Sequence, residues 1–405
     1  MIHLPFPDFV TSFANQTGYS AQTLLLGFQR VWKNLTRNGF YELIKREVPD
    51  LLDRAPIDTW INAGLPTQHR EKLVPDCPVK RLLLVTASTV PSASFQDILV
   101  SLILPIHILV RPAQNLVPIT QALIDHLKTF APELGNRVSI CDVGHDDDAL
   151  TQIIARCDAI NVSGSDETIE HYRRLIPQNQ RIRVISHGHR ISAAAVMHDD
   201  LPQMTHDDFQ NLAIDLSIWD ATGCLSPKAI FIQGTKADAL TFSKKLIVAL
   251  DEVALSLPEC APDMSTLAQI NSMLRLAMID GAAILKAQKN HDTIVVFEPN
   301  TAISPLLFPR ITSVYCVSSP MESARQFAPR GQAFGMKSMP SDAVVQKLSP
   351  AGYNYFCPFG QMQDPPIWWK HDAIGTLQPL MASPKTFLPE HSNFAVTNDE
   401  SRVLL

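Results

Sequence analysis

Residues 158–187, DAINVSGSDETIEHYRRLIPQNQRIRVISH, hold the pattern that decides the fold. A short apolar run of strand length ends in a Gly-Ser turn. An amphipathic stretch of helix length follows, and a second apolar run closes the unit. A strand, a helix and a strand in that order predict a crossover that makes the two strands parallel neighbours in one sheet.

The same alternation extends in both directions from this unit. Upstream, amphipathic stretches separate the apolar runs RLLLVTAS (81–88), HILVRP (107–112) and RVSICDV (137–143). Downstream come KAIFIQG (228–234), two helical stretches at about 235–256 and 264–289, and the runs TIVVFEP (293–299) and ITSVYCVSS (311–319). Repeated βα units predict an α/β protein with a parallel sheet covered on both faces and a second α/β domain after it.

We divide the chain of 405 residues into four parts, because it exceeds the usual size of one hydrophobic core. Residues 1–75 carry helical patterning, and residues 76–222 and 223–355 form the two α/β domains. Residues 356–405 are rich in Pro and aromatic residues and form a segment that packs back on the body.

Composition excludes several classes of protein. With 46% hydrophobic and 18% charged residues the chain is globular, and a net charge of −6 gives no basic surface for nucleic acid. The longest apolar stretch, Leu99–Val110, is about half the length of a membrane span, and no basic leader precedes an apolar run at the N-terminus. Seven cysteines without regular spacing form neither a disulfide framework nor a zinc pattern, so we expect a reduced, cytoplasmic protein that does not span a membrane.

Two segments hold residues for acid–base or nucleophilic chemistry. Cys224 lies in a turn of small residues ahead of a strand, where backbone N–H groups can lower the pKa of a thiol and stabilise an oxyanion. The alternative is one more buried, inert cysteine. His371 and Asp372 form either an oriented proton donor or a packed, hydrogen-bonded pair. His187 and His189 lack an evident third ligand, so no metal site is predicted.

Two further segments could contact a ligand. Gly164 and Ser165 come where a helix begins, which suits either a phosphate group or ordinary helix capping; the acidic pair after them favours capping. Arg111 follows a strand, at the edge where open α/β sheets bind ligands, and is either a ligand contact or a solvated side chain. No G-x-G-x-x-G is present.

Taken in order, six segments resemble the aldehyde dehydrogenase superfamily, and more closely its long-chain acyl-CoA reductase (LuxC-like) branch. The segments are LVTASTVPSASF (84–95), LVRPAQNLVPITQAL (109–123), NVSGSDETI (161–169), ISHGHRISAAAV (185–196), WDATGCLSP (219–227) and FGQMQDPPIWWKHDA (359–373). The resemblance implies two Rossmann-like domains, with residues 76–222 binding the cofactor and residues 223–355 catalytic, and a cleft between them.

The resemblance also implies an activity. Cys224 would attack the thioester of an acyl-CoA or acyl-protein donor, NADPH would reduce the acyl-enzyme, and a fatty aldehyde would leave. Arg111 would contact the ribose or its 2′-phosphate, Gly164 and Ser165 the pyrophosphate, and His371 would donate a proton. A homo-oligomer, or a complex with an acyl-transferring protein, is the expected assembly.

Two positions depart from the superfamily. Ser186, on the cofactor side of the site, stands where aldehyde dehydrogenases carry the glutamate that activates water, so hydrolysis of the thioester loses its base. Thr89 stands in place of the oxyanion asparagine and can donate one hydrogen bond. These departures keep two other readings open: an acyl-holding or acyl-transferring protein without hydride transfer, and a non-catalytic interaction subunit.

Overall fold

The strands of the protein form two separate sheets. In the computed structural model, which describes residues 3–144, 148–177, 181–260 and 262–382, one sheet has five strands and the other has seven. The strands are β1 (Arg81–Val85), β2 (His107–Arg111), β3 (Val138–Ile140), β4 (Ala159–Ser163), β5 (Arg183–His187), β6 (Ile191–Val196), β7 (Pro227–Gln233), β8 (Ala283–Lys286), β9 (Thr293–Val296), β10 (Ile311–Val317), β11 (Gly331–Met336) and β12 (Tyr355–Pro358). The α-helices are α1 (Ala14–Thr17), α2 (Ala21–Asn34), α3 (Arg37–Glu47), α4 (Asp50–Arg54), α5 (Ile57–Trp60), α6 (Thr67–Leu73), α7 (Pro91–Ser101), α8 (Val117–Phe130), α9 (Pro132–Gly135), α10 (Asp148–Ile154), α11 (Asp166–Arg174), α12 (His206–Ser217), α13 (Lys236–Val253), α14 (Met264–Ile279), α15 (Pro320–Arg325), α16 (Asp342–Leu348) and α17 (Gln378–Met381).

The five-stranded sheet confirms the predicted βα alternation. Its strand order is β3-β2-β1-β4-β5, and every neighbouring pair is parallel. Val85 pairs with Arg111 at the ends of β1 and β2, and Ser163 pairs with His187 at the ends of β4 and β5. Because the carboxyl ends of parallel strands share one edge, the loops that follow these four strands meet there.

The seven-stranded sheet has the order β12-β11-β6-β7-β10-β9-β8 and is parallel except for the antiparallel pair β8–β9. Apolar clusters cover both faces, one beneath α12 and α13 and the other beneath α14 to α16. Strand β6 precedes residue 222, the predicted end of the first α/β domain, yet it pairs with β7 in the seven-stranded sheet. The four-part division of the chain stays a prediction. The helix predicted over 264–289 is wrong in length: α14 ends at Ile279, and Gly281, with a φ of 86°, turns the chain into β8.

The longest apolar stretch of the sequence is packed beside the five-stranded sheet. Residues 99–110 form the end of α7, a turn and the start of β2, and nearly all their leucine and isoleucine side chains are buried. Arg137 donates to the carbonyls of Leu102 at 2.8 Å and Leu104 at 2.6 Å, which satisfies the buried turn. Among the described residues, no helix combines the length and apolarity that crossing a membrane requires.

The N-terminal helices contact the C-terminal segment directly. The carboxylate of Glu47, at the end of α3, accepts hydrogen bonds from the backbone N–H groups of Leu377 at 2.6 Å and Gln378 at 3.1 Å. These hydrogen bonds hold the C-terminal segment against α3 at residues 377 and 378. Residues 383–405 of the predicted C-terminal segment lie outside the described residues.

Helix α2 packs tightly against the loop at Trp219 through Gly27. A Cβ atom added there would lie 2.0 Å from Cζ2 of the buried Trp219. We therefore expect Gly27→Ala to lower the free energy of unfolding by about 1–3 kcal/mol, because the indole must shift. Urea denaturation measures this, with Gly64→Ala as the matched control, since a Cβ there comes no closer than 3.6 Å to Asn62. Equal stability of the two variants would contradict the close packing of α2.

Candidate active site

A cavity of about 680 Å³ extends from the carboxyl edge of the five-stranded sheet to the loop before β7. Its walls are the loops after β1, β2, β4 and β5, the loop at 219–225, the segment 363–376 and one face of α2. The α2 face consists of Gly27, Arg30, Val31 and Asn34, at the spacing of one helical stripe. Six residues predicted from the sequence line this cavity together: Thr89, Arg111, Gly164, Ser165, Cys224 and His371.

A strained loop presents Cys224 to the cavity. Trp219, Asp220 and Ala221 have φ angles of 57°, 51° and 56°, in the left-handed region that side chains with a Cβ rarely adopt. The buried Arg310 holds this loop, since its Nη2 lies 2.7 Å from Oδ1 of Asp220 and its backbone N–H donates to the Asp220 carbonyl at 3.1 Å. The loop therefore keeps its shape through tertiary contacts.

The thiol of Cys224 faces an imidazole from a distant part of the chain. Its Sγ lies 3.8 Å from Nε2 of His371. Burial and the charge of Asp372 raise the pKa of Cys224 to about 12, against the opposing effect of the backbone N–H groups of Cys224 and Leu225. The N–H groups of the turn lower this pKa as expected, but desolvation of the thiolate outweighs them, so the net shift is upward. Burial lowers the pKa of His371 to about 4, so its imidazole is neutral and one of its ring nitrogens carries no proton.

A second imidazole and a carboxylate support His371. The ring of His187 stacks on that of His371, with centroids 4.3 Å apart and planes 2° apart. Nδ1 of His187 lies 3.2 Å from Oδ2 of Asp372, and Nε of Arg190 donates to the other carboxylate oxygen at 2.9 Å. Burial opposes ionisation of Asp372, but the hydrogen bond with His187 and the nearby charges lower its pKa to about 2. Asp372 is thus packed and hydrogen-bonded, while His371 lines the cavity and its role as a proton donor stays a prediction.

This cluster does not have the geometry of a metal site. His187, His371 and Asp372 each offer a ligand atom within 4.8 Å of the others. A metal ion lies in the plane of each imidazole that binds it, and two stacked, parallel rings have no such plane in common. Both oxygens of Asp372 also bond to His187 and Arg190. His189, the other half of the His-x-His pair, is exposed and uses its backbone N–H on Asp166 at 3.3 Å.

Polar groups without partners line the edge of the five-stranded sheet. Nη2 of Arg111 donates to the carbonyl of Val143 at 3.1 Å, but its buried Nε and the buried hydroxyl of Thr86 have no hydrogen-bond partner among the described residues. Both residues line the cavity. Buried polar groups are normally satisfied, so these two atoms mark a place where a polar ligand fits.

The turn after β4 is closely packed and capped at the start of α11. A Cβ atom added at Gly164 would lie 3.1 Å from the side chain of Thr168, so the backbone is closely packed there. The Ser165 hydroxyl accepts a hydrogen bond from the Thr168 N–H at 3.2 Å, which is the predicted helix cap. The acidic residue that follows is paired, because Nη2 of Arg330 donates to Asp166 at 3.0 Å. Its repulsion of an anion at the helix N-terminus is therefore reduced.

Ser186 and Thr89, the two positions that depart from the superfamily, differ in their relation to the cavity. The structure does not bring Ser186 to the cavity: alternation along β5 turns its side chain away from the His187 face, and its hydroxyl accepts from Arg173 at 3.4 Å. Thr89 lines the cavity, and its role toward an oxyanion stays a prediction. The next residue, Val90, has a φ of 54°, and its Cγ2 lies 3.1 Å from the position of a Cβ at Gly223.

Sequence reasoning missed the side chains that fix the backbone around Cys224. The hydroxyl of Ser192, in β6, donates to the Cys224 carbonyl at 2.6 Å and accepts from the Ala333 N–H at 3.1 Å. The amide of Gln363 donates to the Ser226 hydroxyl at 2.9 Å. Their only signal in the sequence is that they are polar residues inside the segments 185–196 and 359–373, which carry the resemblance.

The structure places a neutral cysteine–histidine pair beside the edge of a Rossmann-like sheet, and the family to which the chain belongs fits this arrangement. Residues 8–383 match the family model of acyl-CoA reductase (LuxC). The chain belongs to this family. The family assignment makes the chain an oxidoreductase, and the resemblance found in the sequence is confirmed. No curated protein sequence matches the chain.

Solved structures show that this acyl-CoA reductase has the aldehyde dehydrogenase fold, as predicted. Succinic semialdehyde dehydrogenase from Streptococcus pyogenes, in complex with NADP+, is 13% identical with a TM-score of 0.55, over 87% of this chain and 82% of that chain. Aldehyde dehydrogenase 21 from Physcomitrella patens is 12% identical with a TM-score of 0.54, over 93% and 87%. The NAD-dependent benzaldehyde dehydrogenase from Corynebacterium glutamicum is 11% identical with a TM-score of 0.54, over 91% and 82%. At such identities the likeness establishes the fold alone.

In this acyl-CoA reductase, we expect Asp372→Asn to remove a pH dependence of unfolding. The pKa of Asp372 is about 2 in the folded protein and 3.8 ordinarily, so the carboxylate stabilises the fold above about pH 4 and this contribution is lost as the pH falls toward about 2. The pKa difference corresponds to about 2 kcal/mol. Urea denaturation of both proteins between pH 3 and 7 should show the stability gap narrowing at low pH.

The control for this experiment is Asp58→Asn. Asp58 also pairs with an arginine, Arg37, but its side chain is 68% exposed, so solvent screens the pair and little change is expected. A stability gap for Asp372→Asn that is the same at every pH would contradict the assignment of Asp372 as a buried carboxylate.

Proposed function

We propose that the chain reduces acyl-CoA thioesters to fatty aldehydes with NADPH and carries the acyl group on Cys224 between two half-reactions. The supporting observation is the neutral Cys224–His371 pair, with Sγ and Nε2 3.8 Å apart, in a cavity that continues to the carboxyl edge of the five-stranded sheet. A thiolate is both a good nucleophile and a good leaving group, so a cysteine thioester divides the reaction into two easier steps.

In the first half-reaction, Nε2 of His371 accepts the proton of Cys224 as Sγ attacks the thioester carbon. The bond from that carbon to the CoA sulfur then breaks, and the proton on His371 passes to the departing thiolate. The backbone N–H of Cys224 stabilises the oxyanion, and the hydroxyl of Thr89 is proposed to add a second hydrogen bond. The bond from Ser192 to the Cys224 carbonyl keeps this backbone in place.

The second half-reaction needs a reductant, and NADPH, when bound, supplies a hydride to the thioester carbon. Arg111 is proposed to contact the ribose or its 2′-phosphate, and the backbone at Gly164 and Ser165 the pyrophosphate. The unpartnered atoms of Arg111 and Thr86 support a polar ligand at this edge. When the aldehyde forms, the carbon–sulfur bond breaks, and Cys224 regains its proton from solvent through His371.

The residue at position 186 is our reason for proposing that the chain reduces thioesters and does not oxidise aldehydes. Aldehyde dehydrogenases carry a glutamate there that activates water, whereas a serine cannot act as that base. The side chain of Ser186 also lies toward Arg173, outside the residues that line the cavity. Position 186 therefore offers the cavity no carboxylate to activate water, which supports a reductase.

The first test is turnover of long-chain acyl-CoA with NADPH. The wild-type protein should consume NADPH and release aldehyde, and Cys224→Ala should lower kcat on the order of a thousandfold or more, because the covalent route is lost. Cys260→Ala is the matched control, since Cys260 is exposed and does not line the cavity. Its activity should equal that of the wild type.

Intact mass spectrometry distinguishes the alternatives. With acyl-CoA alone, the wild-type protein should gain one acyl group, and Cys224→Ala should gain none. Acylation without NADPH consumption would favour an acyl-holding or acyl-transferring protein, and no acylation at all would favour a non-catalytic subunit. Turnover that persists in Cys224→Ala would refute the covalent mechanism.

The similar structures differ in their cofactor, since the succinic semialdehyde dehydrogenase was solved with NADP+ while the benzaldehyde dehydrogenase is NAD-dependent. We therefore base the choice of NADPH over NADH on Arg111. We expect Arg111→Met to raise KM for NADPH about tenfold while KM for NADH changes much less, since a guanidinium suits the 2′-phosphate. Steady-state kinetics with both cofactors measure this. An equal loss with both would place Arg111 on the part that they share.

The setting of the reaction is proposed from the cysteines. All seven are free, which supports the reducing environment of the cytoplasm. Whether the donor is acyl-CoA or an acyl-protein, its thioester is proposed to enter the cavity that Cys224 shares with α2 and the segment 363–376.

A further inference from the structure

Arg30 is a half-buried cation in the part of the cavity wall that α2 forms. Its Nη2 donates to the carbonyl of Gly360 at 3.3 Å, while its buried Nη1 has no hydrogen-bond partner among the described residues. A guanidinium carries several N–H donors, and a buried donor that stays unpaired is unfavourable. The α2 side of the cavity therefore has donor capacity left for an anionic ligand.

The carboxylates around this part of α2 are bound by other donors. Asp364 pairs with Lys33 through one oxygen and accepts from the amide of Asn34 at 2.9 Å through the other. Asp215, whose charge also faces Arg30, accepts two backbone N–H groups of the segment after β12, at 2.6 and 3.1 Å. Neither carboxylate forms an ion pair with Arg30, so the protein compensates this guanidinium only in part.

The charged side chains of the cavity as a whole favour anions. Histidines aside, four cations and two carboxylates of the described residues line it: Arg30, Arg111, Arg190 and Lys228, and Asp97 and Asp364. Arg190 is paired with Asp372. Arg30 and Arg111 each have a buried nitrogen without a hydrogen-bond partner, and they belong to different walls, since Arg111 ends β2 at the sheet edge. The cavity therefore offers two separate places for anionic groups.

We propose that Arg30 binds the phosphate of the phosphopantetheine arm that carries the thioester sulfur of the donor. The inference rests on the proposed function and names the part of the donor that α2 recognises. The acyl chain has no charge, so an anion at this wall belongs to the thiol half of the donor. The arm joins the sulfur to the phosphate by a flexible chain, so one ligand can place its thioester at Cys224 and its phosphate at Arg30. A guanidinium can donate two parallel hydrogen bonds to a phosphate.

The test is isothermal titration calorimetry of the full chain with 4′-phosphopantetheine and with pantetheine, which differ only in the phosphate. A reducing agent keeps both ligands as thiols. The wild type should bind 4′-phosphopantetheine at least about tenfold more tightly, because hydrogen bonds to charged groups are the stronger ones. Arg30→Met should remove this difference, and Arg30→Lys should keep part of it, because an ammonium retains the charge without the fork of donors. Equal affinities for the two ligands in the wild type would overturn the proposal, and this comparison needs no variant.

The matched control is Arg37→Met, which should bind both ligands as the wild type does. The guanidinium of Arg37 is 56% exposed, pairs with Asp58 and does not line the cavity. NADPH should bind equally well to the wild type and to Arg30→Met. Weaker binding of NADPH to Arg30→Met would overturn the proposal, because Arg30 would then serve the cofactor.

Titrations with coenzyme A and with a phosphopantetheinylated carrier protein distinguish the two sources of the arm. Arg30→Met should weaken whichever of the two binds the wild type more tightly, and a loss in neither would overturn the proposal. None of these titrations needs turnover. Failure of the proposed function, seen as no consumption of NADPH with acyl-CoA, and failure of this inference, seen as no preference for the phosphate, are therefore separate results.

Discussion

The left-handed backbone of residues 219–221 is the constraint on which the site depends. Such residues each cost on the order of 1–3 kcal/mol and persist only where the surroundings hold them. Three parts of the chain hold them here: Arg310 bonds to Asp220, Lys228 binds the carbonyl of Ala221, and Gly27 of α2 leaves space for the indole of Trp219. The place of Cys224 is therefore a property of the whole fold, and loosening any of these contacts moves the sulfur.

Burial has opposite effects on Cys224 and His371. It raises the pKa of Cys224 and lowers that of His371, so both are neutral. A neutral thiol is a poor target for oxidants, and in the proposed reaction charge would develop only when a thioester lies close enough to accept the attack. Asp372, by contrast, stays ionised and bound to Arg190, so a fixed charge orients the imidazole stack without taking the thiol proton.

The sequence was informative where periodicity or a motif determines the outcome. The βα alternation predicted both sheets, and the ordered segments pointed to Cys224 and His371, which lie 3.8 Å apart in the structure. Position 186 shows the limit, because one step along a strand reverses the face, and the side chain that reaches the site belongs to His187. Lys228 was missed for a different reason: a lysine at the start of a strand is usually solvated, and only the packing of residues far apart in the chain shows that it is buried.

The two sides of the cavity are built in different ways. At the sheet edge the lining includes the backbone turn at Gly164 and the start of α11, and the fold itself persists at 11–13% identity to aldehyde dehydrogenases. Another part of the lining is the stripe of residues on α2, which belongs to neither sheet. Under the proposed function, a dinucleotide at the sheet edge would leave the α2 part of the cavity for the acyl donor. Because a backbone turn depends less on side-chain identity than a helix face does, we expect the α2 residues to bear more on the choice of thioester than on the cofactor.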